Sequence, residues 1–147
     1  MRLELNESQR ELKSRLREYF ARLTAEMAPD GGRPDYVATI RRMGEDGWLG
    51  LGWPVEYGGQ GRGPVDQMIF VEESHWAGVA LPLLTLGTVG PAIMQLGTPE
   101  QKARLLPGIL RGELHFSIGY TEPSAGTDLA SLRTRAERDG DEWVITG

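Results

Sequence analysis

Apolar residues in the first hundred positions recur at helical spacing, which predicts a helical N-terminal region. A first helix is predicted over residues 6–27, because Asn6 and Gln9 have the spacing of a capping box. The residues that repeat on its apolar face are Leu12, Leu16, Phe20, Leu23 and Met27. Its charged face, with Lys13 and Arg17, is expected to lie in solvent and to carry no chemistry.

A second helix is predicted to begin at Pro34 and Asp35, with Tyr36, Ile40 and Met43 as its apolar stripe. The loop that follows, residues 47–61, is rich in glycine but carries two Trp and one Tyr. Large aromatic side chains bury much apolar area, so they are expected to pin this loop to the protein body. Phosphate binding is the alternative, but the loop lacks both the P-loop lysine and the dinucleotide spacing.

A third helix is predicted over residues 65–76, and its apolar residues are spread widely enough to predict burial on more than one face. Glu72, Glu73 and His75 form the one acid–base cluster in this half of the sequence. Glu72 and His75 share a helix face and could bind a metal or move a proton. The sequence has only two histidines and offers no second carboxylate–histidine helix, so a structural pair is the favoured interpretation.

Two shorter helices are predicted next. The first follows a run of small and apolar residues, carries Ile93 and Leu96, and closes at Gly97. The second begins with a capping box at Thr98, and its apolar face, which is expected to be broken at Pro107, carries Leu105, Leu106, Ile109 and Leu110. Because the apolar period then shortens towards two, we predict an all-α domain over residues 1–112 and the opening strands of a β-domain over residues 113–147.

The β-domain is expected to contain strands over residues 133–138 and 142–146, joined by a tight turn at Asp139 and Gly140. Before them, an apolar run over residues 115–120 is typical of a strand, and it leads into a loop with hydroxyls at Thr121, Ser124 and Thr127. Such a loop offers hydrogen-bond donors to a phosphate or to the edge of a heteroaromatic ring. An ordinary turn with a helix cap is the plainer interpretation.

Composition narrows the classes of partner. A net charge of -5 without a basic tract argues against nucleic acid and against an anionic membrane surface. No apolar run is long enough for a membrane span, and the polar N-terminus is unlike a secretory signal. Cysteine is absent, which excludes disulfides and thiolate chemistry. A cytoplasmic protein is the expectation, and no metal site is predicted.

Several motifs occur together in the C-terminal part of the sequence. Thr121-Glu122-Pro123 is followed after two residues by Gly126-Thr127-Asp128, then by Thr134-Arg135-Ala136, Gly140-Asp141 and an aromatic strand that ends in Gly147. This order resembles the flavin-binding signature of the acyl-CoA dehydrogenase family, with Thr127 where serine is commoner. The glycine-rich loop resembles the Pro-x-x-Tyr-Gly-Gly-x-Gly loop of the same family.

The resemblance implies a mainly α fold: the N-terminal helical domain of such a flavoprotein, followed by the first strands of its β-barrel-like middle domain. It implies FAD as cofactor, with the backbone of Ile118, Gly119, Tyr120 and Thr121 along the isoalloxazine ring and the Thr121 hydroxyl on its pyrimidine side. Gly126 and Thr127 would approach the pyrophosphate, and Thr127 would also lie near the substrate. Residues 83–91 would wall the acyl pocket, where Gly87 and Gly90 leave room for a bulky acyl group or for a neighbouring helix.

The implied activity is α,β-dehydrogenation of an acyl-CoA thioester in fatty-acid or sterol side-chain degradation. The implied partners are acyl-CoA, an acceptor like electron-transfer flavoprotein, and further subunits of a homo- or hetero-oligomer. The family's catalytic glutamate belongs to a C-terminal domain that this sequence lacks, so no residue here is assigned as the base, and the chain alone is expected to be inactive. A non-catalytic partner subunit and an inactive truncated product remain alternatives.

Overall fold

A computed structural model of the protein describes residues 4–147, and these divide into two compact units between Phe116 and Ser117. The helices, in the first unit, are α1 (Glu7–Met27), α2 (Tyr36–Glu45), α3 (Pro64–Trp76), α4 (Gly90–Leu96) and α5 (Pro99–Leu110). The second unit contains an antiparallel hairpin of β1 (Arg135–Asp139) and β2 (Glu142–Thr146). The chain is therefore mainly α, with its helices before its strands, as the sequence predicted.

Helix α1 begins as predicted, with a reciprocal capping box. The Gln9 N–H donates to the Asn6 side chain at 2.9 Å, and the Asn6 N–H donates to the Gln9 side chain at 3.0 Å. The predicted apolar face lies in the core, with Met27 only partly buried. Tyr19 is also buried, which the apolar pattern did not predict; its hydroxyl donates to Asp46 at 3.0 Å.

The charged face of α1 is not simply solvated: the Arg17 side chain is mostly exposed, as predicted, but Arg17 and the half-buried Lys13 both form ion pairs with α3. Arg17 donates to both carboxylate oxygens of Glu73, from Nε at 3.0 Å and from a terminal nitrogen at 3.1 Å. Lys13 Nζ lies 3.1 Å from Glu72 and 3.4 Å from Glu73. These ion pairs join α1 to α3, because the Glu73 side chain is only 2% exposed and requires cationic partners.

Helix α3 buries one face rather than several. Ile69, Phe70, Glu73 and Ser74 are buried, whereas Trp76 is 77% exposed. The prediction of wide burial was wrong because, among the described helices, α3 makes its main contact with α1 alone. The predicted pairing of Glu72 with His75 was also wrong: Glu72 bonds Lys13, and the exposed His75 side chain has no partner among residues 4–147.

The glycine-rich loop is pinned by its aromatic residues, as predicted. Trp53 is 5% exposed, and its indole N–H donates to the Leu86 carbonyl at 2.9 Å. Leu86 belongs to a π-helical turn, Thr85–Val89, in which its carbonyl would accept from residue 91. That residue is Pro91, which has no N–H, and the indole of Trp53 supplies the missing donor.

Helix α5 runs through Pro107 to Leu110, and the exposed Pro107 interrupts its apolar face between the buried Leu106 and Ile109, as predicted. A proline inside a helix deprives the carbonyl four residues earlier of its donor, here that of Ala103. Both residues are exposed, and water can satisfy that carbonyl. The predicted capping box at Thr98 is confirmed. Tyr36 was expected in the apolar stripe of α2, but it is 42% exposed.

The hairpin forms where the sequence predicted it, but its turn is shifted by one residue. Asp139 pairs with Glu142, so the two central residues are Gly140 and Asp141. Gly140 has a φ of 61°, a left-handed conformation that glycine adopts without steric cost. The strand predicted over residues 115–120 is absent, because no other described segment pairs with that backbone.

Candidate functional site

The predicted flavin-binding residues lie in the second unit, on an extended segment and the loop that follows it. From Ser117 to Thr121, no backbone N–H or C=O is hydrogen bonded to another described residue. Ile118 is half-buried, while Gly119, Tyr120 and Thr121 are exposed. The structure therefore keeps the predicted ring-contacting residues together on one stretch of unpaired backbone.

A tight turn follows at once. The Glu122 N–H donates to the Ala125 carbonyl at 2.9 Å, and the Ala125 N–H donates back to the Glu122 carbonyl at 3.1 Å. Pro123 occupies the second position of this turn, where its fixed φ is favourable. Ala125 is buried, with 3% of its surface exposed. The residues that bear hydroxyls before it in the turn region, Thr121 and Ser124, are exposed.

The Glu122 carboxylate ties this turn to the start of the hairpin. One oxygen accepts from the Arg133 N–H at 2.9 Å, and the other accepts from the Thr134 N–H at 2.6 Å. The Thr134 hydroxyl also donates to the carboxylate. The Thr134 hydroxyl and then the two backbone N–H groups lower the pKa of Glu122 below its ordinary value.

Gly126 and Thr127 are open to a ligand. A Cβ built on Gly126 would have no heavy atom within 4 Å, and both residues are exposed. The backbone N–H groups and the Thr127 hydroxyl make no hydrogen bond to any described residue. This arrangement leaves two adjacent N–H donors and one hydroxyl available over an unobstructed approach.

This set of donors fits the group that the sequence predicted. A flavin presents ring-edge acceptors and a pyrophosphate, and both require N–H or O–H donors. Unpaired backbone at residues 117–121 and free hydroxyls at Thr121, Ser124 and Thr127 provide those donors. The loop therefore presents donors of the kind that such a group requires, and the carboxylate of its one glutamate, Glu122, is already bonded by Arg133 and Thr134.

The segment predicted to wall an acyl pocket, residues 83–91, lies in the helical unit. Its two glycines have different surroundings: a Cβ on Gly90 would lie 2.2 Å from Cζ2 of Trp53, whereas one on Gly87 would have nothing within 4 Å. Gly90 is thus required for packing of Trp53. Of the two glycines, only Gly87 has open space where a Cβ would lie.

The described part of the chain contains neither a candidate metal site nor a candidate membrane-spanning helix. Residues 4–147 contain no group of three or more His, Asp or Glu side chains arranged to hold a metal ion. No helix within that range is long and apolar enough to cross a membrane.

Comparison with known proteins identifies the family. A sequence model of the family described as "Acyl-CoA dehydrogenase, N-terminal domain" matches residues 6–113. The chain belongs to the acyl-CoA dehydrogenase family. Two relatives from Mycobacterium tuberculosis (strain ATCC 25618 / H37Rv) match over its whole length: acyl-CoA dehydrogenase FadE29 at 54% identity and acyl-CoA dehydrogenase FadE26 at 52%. The chain spans 39% of the length of each of them.

Solved structures of acyl-CoA dehydrogenases show the same fold. The chain matches the crystal structure of the ChsE4-ChsE5 complex from Mycobacterium tuberculosis with a TM-score of 0.87 and 52% identity, over 100% of this chain and 39% of that one. It matches the Tcur3481-Tcur3483 steroid ACAD with a TM-score of 0.86 and 49% identity, over 100% of this chain and 40% of that one.

The sequence analysis did not predict that the Glu122 side chain joins the acyl-CoA dehydrogenase loop to the start of the hairpin. Its partners lie eleven and twelve residues further along the chain, a separation with no helical or strand periodicity. The only available signal was the joint occurrence of the Thr-Glu-Pro and Thr-x-Ala motifs, which the structure joins through Glu122 and Thr134.

Proposed function

We propose that this chain supplies the N-terminal helical domain and the flavin-binding loop of an FAD-dependent acyl-CoA dehydrogenase. The observation that carries the proposal is the row of unpaired donors at residues 117–121 and 126–127, in a chain that belongs to this family. The reaction is α,β-dehydrogenation of an acyl-CoA thioester, in which a base takes the α-proton and a hydride leaves the β-carbon. FAD supplies the hydride acceptor.

The chain's own residues bind and orient. The backbone of Ile118, Gly119, Tyr120 and Thr121 lines the flavin ring, and the Thr121 hydroxyl bonds its pyrimidine edge. Gly126 and Thr127 would donate to the pyrophosphate, and Thr127 would also lie near the substrate. Holding ring and substrate in register removes much of the entropic cost of the encounter. We assign no residue of this chain as the base, and the candidates Glu72 and Glu73 are bonded to Lys13 and Arg17.

The substrate class that we favour is a bulky, sterol-derived acyl-CoA. One solved relative at 49% identity is a steroid ACAD, and the open Gly87 leaves room on the segment that would wall the acyl pocket. The partner that we favour is an electron acceptor like electron-transfer flavoprotein, and the expected location is the cytoplasm.

A second candidate function is that of a partner subunit in a heteromeric dehydrogenase. It is favoured by similarity at 52% identity to a protein whose structure was solved as the ChsE4-ChsE5 complex. In that case the flavin loop of this chain would complete a site together with a different polypeptide. Mass analysis of the enzyme isolated through a tag on this chain distinguishes one kind of subunit from two.

The experiment that tests the proposed function isolates the dehydrogenase containing this chain and measures FAD release. Thr121→Val keeps the β-branched shape but removes the hydroxyl, and should weaken FAD binding by about 1–3 kcal/mol, roughly five- to 150-fold in Kd. Thr24→Val is the control, because the Thr24 hydroxyl lies in α1 and bonds only the carbonyls of its own helix.

Equal FAD retention in the two variants would mean that Thr121 is a turn residue with no role in flavin binding. Absence of flavin from the isolated wild-type enzyme, together with no reduction of a dye by acyl-CoA, would overturn the proposed function as a whole.

A further inference from the structure

The loop that carries the donors has one hydrogen-bonded link to the hairpin. No backbone–backbone hydrogen bond connects residues 117–127 with residues 133–147 in the described chain. The side-chain hydrogen bonds between these two segments all end on the Glu122 carboxylate. The turn has its own backbone hydrogen bonds between Glu122 and Ala125, but the hydrogen-bonded attachment of the loop to the hairpin depends on one ionised side chain.

We propose that Glu122 is a positioning residue for flavin binding: its carboxylate fixes Thr121 on one side and Gly126 and Thr127 on the other in the arrangement that receives the cofactor. This inference rests on the proposed function. It assigns a role to a residue whose carboxylate is occupied by Arg133 and Thr134 rather than open to a ligand.

The chemistry of the link suits this role. The two carboxylate oxygens accept from the N–H groups of Arg133 and Thr134 and from the Thr134 hydroxyl. Hydrogen bonds to an ionised acceptor are shorter and stronger than those between neutral groups. Pro123 contributes by biasing Glu122 towards an extended backbone, and it cannot offer an N–H that would compete for the carboxylate.

The position of Glu122 in the chain explains what the link controls. Thr121 directly precedes it, so anchoring Glu122 fixes the point from which the Thr121 hydroxyl projects. Gly126 and Thr127 lie inside the loop that the carboxylate closes at Arg133. Closing a loop removes conformations that would otherwise have to be lost when a ligand binds. Without the link, flavin binding would have to order the loop itself.

The link is built to persist at neutral pH. The hydroxyl of Thr134 and the N–H groups of Arg133 and Thr134 favour the charged form of Glu122 and lower its pKa. In the described hydrogen bonds, no charged group contacts the Glu122 carboxylate, because Arg133 contributes its backbone N–H rather than its guanidinium. Protonation in acid would remove the charge that holds all three donors.

The first arm of the test uses the 147-residue chain without cofactor. In NMR spectra, the amide protons of Arg133 and Thr134 should shift together as Glu122 titrates, with a midpoint below the ordinary glutamate value. Glu122→Gln should abolish this shift and loosen residues 121–127, while the far-UV melt of the helical unit stays unchanged. Glu137→Gln, an exposed change in β1, should leave the shift intact. A wild-type chain without this shift would overturn the proposal.

The second arm measures FAD retention by the dehydrogenase that contains this chain. Glu122→Gln should raise the Kd for FAD about tenfold, and Glu137→Gln should not. Thr134→Val, which removes only the hydroxyl, should have a smaller effect, and adding it to Glu122→Gln should have almost none, because both act through one link. The difference between wild type and Glu122→Gln should vanish in acid, where Glu122 is protonated.

The possible outcomes distinguish the positioning role of Glu122 from the proposed flavin-binding function of the loop. If Thr121→Val loses FAD while Glu122→Gln and Glu137→Gln retain it equally, the loop binds flavin and Glu122 does not position it. If the wild-type enzyme holds no flavin, the proposed function fails, and the positioning role fails with it.

Discussion

The helical unit and the second unit differ in the interactions that stabilise each of them internally. Among the described residues of the helical unit, sixteen hydrophobic side chains form a buried core. In the second unit, every residue of both strands is exposed and Ala125 is the single buried residue described. Burial of apolar side chains stabilises the first, whereas the loop of the second depends on hydrogen bonds to Glu122. The same substitution should therefore have different effects in the two units.

The largest expected contrast is between two isoleucines. Ile69 is 0% exposed in α3, and Ile145 is 71% exposed in β2. Ile69→Ala should lower the free energy of unfolding by about 2–5 kcal/mol, through lost burial and a cavity. Ile145→Ala should change it by less than about 0.5 kcal/mol. Urea denaturation followed by far-UV circular dichroism measures both.

An equal loss of unfolding free energy in the two isoleucine variants would contradict the difference that we infer between the units. It would mean that β2 is packed in solution, either in a larger assembly or by self-association of the exposed hairpin. Sedimentation of the purified wild-type chain at several concentrations tests for self-association, which would raise the sedimentation coefficient as the concentration increases.

A second contrast involves two glycines with opposite surroundings. Gly90→Ala would place a methyl 2.2 Å from Cζ2 of Trp53, so it should cost about 1–3 kcal/mol of stability through overpacking. Gly126→Ala meets no heavy atom within 4 Å and should leave the melting temperature unchanged. In the assembled dehydrogenase, Gly126→Ala should instead weaken FAD binding. A destabilised Gly126→Ala chain without cofactor would contradict this division of roles.

Local patterns predicted much of the helical unit. The capping boxes at Asn6 and Thr98 are complete within four consecutive residues, so the sequence alone identifies them. The apolar face of α1 was also predictable, because helical periodicity records which side is buried. The predicted strand over residues 115–120 failed for the converse reason: a β-prone run becomes a strand only when another strand pairs with it.

Contacts between distant residues were not predictable. Arg17 with Glu73, Trp53 with Gly90, and Glu122 with Thr134 each join segments whose separation follows no period. Charged residues such as Lys13 and Arg17 therefore looked like a solvated face. The motif at residues 121–128 indicated which backbone would be presented, but it gave no indication of the carboxylate that holds that backbone in place.

The smallest expected contrast compares a glutamate in each unit. Glu73 is buried between α1 and α3, with Arg17 and Lys13 as partners. Glu137 pairs with Arg135 in β1, where both side chains are about two-thirds exposed. Glu73→Gln should cost about 1–2 kcal/mol, reduced from the value for a fully buried pair because the Arg17 side chain is 69% exposed. Glu137→Gln should cost less than about 0.5 kcal/mol, as is usual for exposed ion pairs.

The pH dependence of the Glu73 effect decides whether its charge is responsible. Burial raises the pKa of Glu73, but hydrogen bonds and charges from Arg17 and Lys13 outweigh burial and leave the pKa below its ordinary value. A folded pKa below the unfolded one gives stability that is complete above the unfolded value, about 4.3, and is lost as the pH falls through the folded value. The difference in unfolding free energy between wild type and Glu73→Gln should therefore be constant near neutral pH and shrink in acid. A difference that persists unchanged at a pH below the folded pKa would show that shape and packing, rather than the ion pairs, join α1 to α3.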